Sequence, residues 1–164
     1  MASIQKLTSC LWFDGEAEAA AKFYVSVFKN AKLGRTSHYP KEGQDVHQQA
    51  EGSVLVVEFE IEGQKFIALN GGPQFKFTEA VSFVVNCDTQ AEIDYYWDKL
   101  TADGGQPGPC GWLKDKFGLS WQVAPSKVGD WLTDPDQRKA ARVFASVMKM
   151  GRIDLAAMEK AYAG

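Results

Sequence analysis

The sequence predicts an α+β fold of two tandem βαβββ units, 4–72 and 79–125, with a helical extension over 126–164, all within one domain. Three observations predict it. A short apolar run, Cys10-Leu-Trp-Phe13, hands over directly to a helix near Asp14, and Phe83-Val-Val-Asn-Cys87 does the same ahead of Asp88. Laying Asp14 on Asp88 also lays Ala17 on Ala91, Glu18 on Glu92 and Phe23 on Trp97. Beyond each junction the apolar residues recur with period two, and near the chain's end they recur with helical period.

In order, 4–13 reads as a strand and 16–28 as a helix, whose Ala19, Ala20, Phe23, Tyr24, Val27 and Phe28 recur at steps of three and four. An aspartate before such a helix can accept hydrogen bonds from its free first-turn amides, so Asp14 and Asp88 are the expected caps. Residues 33–39 form a second strand, and the polar segment 40–52, carrying His47, a loop. In 53–61, Leu55, Val57, Phe59 and Ile61 alternate with Val56, Glu58 and Glu60, which makes a strand. Glu62-Gly-Gln64 turns it back into 65–70, and Asn70-Gly-Gly-Pro73 breaks regular structure. The second unit repeats this: strand 80–87, helix 88–101 with Ile93, Tyr96, Trp97 and Leu100 inward, a short strand at 106–108, and strands 110–114 and 119–124. Asp134 and Pro135 start a helix to about 150, with Ala140, Val143, Phe144, Val147 and Met148 on one face. Gly151 stops it, and 154–162 forms a last helix. Such an appendix covers either its own sheet or a partner subunit.

Bulk properties narrow the function. A net charge of −3 and a pI near 5.4 leave no basic footprint for nucleic acid or for an anionic membrane. No apolar run approaches the length that spans a bilayer. Cys10, Cys87 and Cys110 lie far apart, without the spacing of a disulfide framework, which points to reduced thiols and a cytoplasmic setting. No Ser-His-Asp or Cys-His pairing is visible around His38 or His47.

Two tandem βαβββ units resemble the plan of the vicinal oxygen chelate superfamily, which includes glyoxalase I, extradiol dioxygenases and bleomycin-resistance proteins. More narrowly, Leu11-Trp-Phe-Asp-Gly15, Lys22-Phe-Tyr24, Leu69-Asn-Gly-Gly-Pro73, Phe75-Lys-Phe-Thr-Glu79, Trp97, Cys110-Gly-Trp-Leu-Lys-Asp115 and Gly118-Leu-Ser-Trp-Gln122 resemble its bacterial PhnB-like branch, named after demethylubiquinone methyltransferase. The resemblance implies curved mixed sheets of glyoxalase type and a homodimer. Methyl transfer does not follow from it. Adenosylmethionine binding calls for a doubly wound sheet with a glycine-rich turn opening a helix, whereas Asn70-Gly-Gly-Pro73 closes a strand.

Carried over from glyoxalase-like relatives, the metal-ligand positions fall near Thr8, at Ala68, near Val81 and at Gln122. Alanine and valine have no donor atoms, and threonine and glutamine are weak neutral ligands. Glu79 is the one carboxylate that a register shift could bring in. The expected site is therefore a metal-free cavity for a small organic molecule, with no cofactor, on the concave strand faces of this architecture. Its expected lining is Cys10, Trp12, Asn70, Phe75, Phe77, Trp112, Trp121 and Gln122. The alternative is a metal-dependent lyase, isomerase or dioxygenase that uses Glu79, Gln122 and Thr8.

Overall fold

The computed structural model describes residues 5–164, so Ile4, in the expected first strand, lies outside them. The chain divides into two compact units, one through Lys76 and one from Phe77. The helical extension belongs to the second.

The first unit comprises β1 (Ser9–Phe13), α1 (Ala17–Val27), β2 (Ala31–His38), α2 (Gln44–His47), β3 (Val54–Ile61) and β4 (Gln64–Asn70). Its sheet has the order β1-β4-β3-β2, with β1 parallel to β4 and the other pairs antiparallel. Glu62 and Gly63 both take positive φ, 49° and 79°, which is the two-residue turn whose twist matches a hairpin. Helix α1 buries Ala17, Ala20, Ala21, Tyr24 and Val27, the alanines allowing close approach to the sheet. The other side of that contact is Val57, Phe59 and Ile61 of β3 with Phe66 and Ala68 of β4, all buried, as period two requires. The polar 40–52 segment holds one short helical turn, α2, and the His47 ring packs 4.7 Å from Tyr39.

The second unit comprises β5 (Ser82–Cys87), α3 (Gln90–Thr101), β6 (Gln106–Pro107), β7 (Trp112–Lys114), β8 (Ser120–Pro125), α4 (Val128–Leu132), α5 (Gln137–Val147) and α6 (Leu155–Ala163). Its sheet order, β5-β8-β7-β6, repeats the first, again with a single parallel pair. The repeat slips by one residue at the helices. Three residues separate β1 from α1 and two separate β5 from α3, so the buried Ala20, Tyr24 and Val27 correspond to the buried Ile93, Trp97 and Leu100. Tyr24, not Phe23, is the structural counterpart of Trp97, and Tyr96 is only half-buried.

The capping differs from expectation in both units. Helix α3 is capped by Thr89, whose Oγ1 accepts from Glu92 N at 3.2 Å while the Glu92 carboxylate accepts from Asp88 N at 2.7 Å, a variant of the reciprocal capping box. Helix α1 has Glu16 at its N-cap and no capping side chain of its own. Its cap comes from β4, described below.

The extension docks on its own unit. Cys110 N donates to Met150 O at 2.7 Å and Gly111 N to Gly151 O at 2.8 Å. Gln90 donates to Ile153 O and accepts from Leu155 N, and Arg152 reaches Asp94 and Asp98 while lying over the Trp97 ring. Asp136 caps α5, in place of the expected Asp134, whose carboxylate instead accepts from the Tyr162 hydroxyl at 2.6 Å. Of the apolar face expected on α5, Val143 is buried, whereas Phe144 is 57% and Met148 56% exposed.

Candidate functional site

Each sheet has one helix-covered face and one open face, and strand parity assigns every expected lining residue to one or the other. In the first unit, Leu11 and Phe13 point to the α1 side, so Cys10 and Trp12 lie on the open side. Ile67 and Leu69 of β4 stand beside them in register with Cys10 and Trp12. Trp12 is fixed from three directions. Its Nε1 donates to Gly72 O at 2.8 Å, and Phe75 meets its ring edge-on at 4.9 Å. A Cβ on Gly71 would stand 2.2 Å from the indole, so only glycine leaves the ring its place. The structure thus brings Trp12 and Phe75 together, with Phe75 65% exposed.

Asn70 is elsewhere. It follows Phe66 and Ala68 onto the α1-covered face and is 6% exposed. Its Oδ1 accepts from Ala17 N at 2.9 Å, supplying the cap that α1 lacks, and its Nδ2 donates to Val54 O at 3.0 Å. Both ends of the amide are engaged within the fold. The Asn70-Gly-Gly-Pro73 motif is accounted for in this way: one residue caps a helix, one clears space for an indole, and one accepts from it.

In the second unit, Leu113, Trp121 and Val123 take the buried face, which leaves Trp112, Lys114, Ser120, Gln122 and Ala124 on the open one. Trp121 is therefore core. It is 4% exposed, and its Nε1 donates to the buried Asp115 Oδ2 at 2.8 Å. Asp115 also accepts from Phe117 N at 2.8 Å and Leu119 N at 3.1 Å, which fixes the turn between β7 and β8. On the open face Trp112 and Gln122 are register partners, and Gln122 Nε2 donates to Ser82 Oγ at 2.9 Å. Phe77 is half-buried within this unit. Sequence reasoning passed over Ser120, which lies in register between Lys114 and Ser82. It is fully buried, and its hydroxyl has no hydrogen-bond partner among the described residues.

The family model described as 3-demethylubiquinone-9 3-methyltransferase matches residues 5–124, which hold both βαβββ units. The chain belongs to this family. A Bacillus cereus structure, described as a putative 3-demethylubiquinone-9 3-methyltransferase, PhnB protein, is 35% identical; the match covers 74% of this chain and 99% of that one with a TM-score of 0.63. Protein PA1353 of Pseudomonas aeruginosa is 18% identical over 75% of this chain and 98% of that one, at a TM-score of 0.58. The fosfomycin resistance protein FosX of Mesorhizobium loti is 16% identical over 74% and 91%, at 0.51, a likeness of fold. No curated protein matches the chain. The fold is glyoxalase-like.

The chelated metal that the resemblance to the vicinal oxygen chelate superfamily implies does not fit the residues present. Ala68 is fully buried on the α1-covered face, and Val81, 66% exposed, has no donor atom. Thr8 and Gln122 are neutral oxygen and amide groups, weak ligands for a divalent transition ion. Among the described residues no group of three or more His, Cys, Asp or Glu could hold an ion. Glu79 is engaged with Lys114 Nζ at 2.6 Å, and that ammonium holds its carboxyl below the usual carboxylate range. His38 is exposed. His47, in the 40–52 segment, accepts from Gln49 N through Nδ1, and its Nε2 is buried without a hydrogen-bond partner among the described residues. Among the described residues no helix is long and apolar enough to cross a membrane.

Proposed function

We propose that this protein binds a small organic molecule on its open strand faces, without a chelated metal, and that it does so as a homodimer. One observation carries the reading. The open faces present aromatic rings beside neutral hydrogen-bonding groups, Trp12 with Phe75 in one unit and Trp112 with Gln122 and Ser82 in the other, and the carboxylates on or beside these faces, Glu58, Glu60 and Glu79, are each paired with a cation, Arg35, Lys32 and Lys114. Mostly apolar surfaces with a few placed polar groups are what small-molecule sites use. The exposed Phe144 and Met148 of α5 support assembly of two copies.

The methyl transfer in the family's description is not supported by the residues present. Both sheets are mixed and four-stranded, and the glycines after β4 are committed to Trp12, so neither feature suits adenosylmethionine. A metal-dependent lyase, isomerase or dioxygenase would need donors that these positions lack.

The test is ligand-observed NMR with a library of small aromatic and aliphatic compounds, on full-length protein dialysed against a chelator. Binding is expected in the chelator, unchanged by added zinc, nickel, manganese or iron(II), and weakened by Trp12→Leu or Trp112→Leu. Binding that arises only with an added metal ion would overturn the proposal.

A further inference from the structure

We propose that the recess at the β6–β7 edge of the second unit binds the carboxylate of a small organic acid, and that Glu79 is its built-in competitor. This rests on the reading of the open faces as ligand surfaces and names the ligand class for one of them. The recess encloses about 190 Å³ and is lined by Glu79, Gln106, Pro107, Trp112, Lys114 and Ser120 among others. That volume is below the roughly 300 Å³ at which pockets for drug-sized molecules begin, so it suits an acid of few heavy atoms.

Two features point to an anion with hydrogen-bonding oxygens. Ser120 is fully buried, its hydroxyl has no hydrogen-bond partner among the described residues, and a polar group buried that way is unfavourable until something bonds to it. Lys114, its register partner on the same face, places an ammonium at the recess with the side chain 34% exposed. The position before that ammonium is already taken by a carboxylate, that of Glu79, 2.6 Å from Nζ. Glu79 stands outside the strand ladder, ahead of β5, and its side chain is 62% exposed. An exposed pair of this kind is held weakly, because water screens it. A ligand carboxylate can therefore replace it at no change in local charge, with one oxygen on Lys114 and the other accepting from Ser120 Oγ. Glu79 then turns into water, and the ring of Trp112 covers the acid's carbon chain. One lysine and one hydroxyl match the two oxygens of a carboxylate. There is no arginine fork in this lining to grip a phosphate.

The experiment is an NMR titration of ¹⁵N-labelled full-length protein with butyrate, with uncharged butyramide and with inorganic phosphate. Butyrate is expected to shift the amides of Lys114 and Ser120 saturably, whereas butyramide and phosphate bind at least about tenfold more weakly. Lys114→Met and Ser120→Ala should each weaken butyrate, and Lys114→Arg, which keeps the charge, should retain it. Glu79→Gln should tighten butyrate about threefold or more by removing the competitor. The undisturbed remainder of each variant's spectrum reports that it is folded. Equal or weaker binding by Glu79→Gln, equal binding of butyramide or phosphate, or shifts confined to residues away from the recess would each overturn the proposal. Neutral aromatic ligands binding at Trp112 with no response to butyrate would overturn this inference alone. Silence toward both would overturn the broader reading with it.

Discussion

Replacing Asp115 by alanine isolates what holds the last hairpin of the second unit. The carboxylate is 2% exposed and accepts from two backbone amides and one indole N–H, at 2.8, 3.1 and 2.8 Å. Asp115→Ala leaves those three donors without this acceptor. A buried donor left unpaired costs roughly 1–3 kcal/mol. The Phe117 amide lies in a half-buried turn where water can reach it, so Leu119 N and the Trp121 indole bear most of the loss. The gross effect is about 3–6 kcal/mol, and relief from burying a carboxylate reduces it to about 2–4 kcal/mol. Asp115→Asn separates the contributions. Its carbonyl can still accept from Phe117 and Leu119, but its NH₂ faces the Trp121 N–H, donor against donor, so about half of the loss is expected. Urea denaturation followed by circular dichroism measures both variants. Glu159→Ala serves as the control, since its side chain is exposed on α6, where alanine is a good helix former. An alanine variant within about 1 kcal/mol of the parent, or an asparagine variant no better than alanine, would refute the reasoning.

Two further outcomes follow from named contacts. Gly71→Ala drives a methyl into the Trp12 ring, so the ring must leave its bond to Gly72 O; a loss of about 1–3 kcal/mol and a red-shifted tryptophan emission are expected, and an unchanged spectrum would contradict the assigned packing. Burial, followed by the negative charges of Glu92 and Asp88, pushes the Cys87 thiol up to about 12 from its ordinary 9.0, so the folded state keeps a proton that the unfolded chain releases. The stability tied to that proton is complete below pH 9 and is lost as pH rises from there toward 12. Denaturation midpoints should fall across that window, less steeply in Cys87→Ala, and at pH 8 a disulfide reagent should label the exposed Cys10 in the native protein but Cys87 only in urea.

Much of the architecture was legible because period two and period 3.6 are set by which residues must avoid water. The strand–helix handovers at Phe13 and Cys87 follow from that, the hairpin at Glu62-Gly63 from its turn residues, and the two-residue strand at Gln106 from completing the repeat. The site was less legible, and one physical rule accounts for the difference. Neighbours in a strand point to opposite faces, so Trp121 and Gln122 could not both line one surface, and the parity of Phe66, Ala68 and Asn70 already places Asn70 under the helix. Applied to β8, the same parity would have found Ser120. The cap supplied by Asn70 to Ala17 could not be read locally, because its two halves are 53 residues apart. On α5 the period was right, but sequence cannot say what covers a face, and Phe144 is uncovered.

The docking of residues 150–155 on the second unit bears on how the protein is made. The first unit has all its strands once Asn70 has been synthesised, and its sheet can close while the rest of the chain is still being translated. The second closes its sheet once Pro125 has been made, but Gln90 waits for Ile153 and Leu155, and the amides of Cys110 and Gly111 wait for Met150 and Gly151, so its turn and its helix stay incomplete until residues 150–155 have followed. A chain stalled after Pro125 would therefore carry two closed sheets but leave the amides of Cys110 and Gly111 and the side chain of Gln90 without these partners.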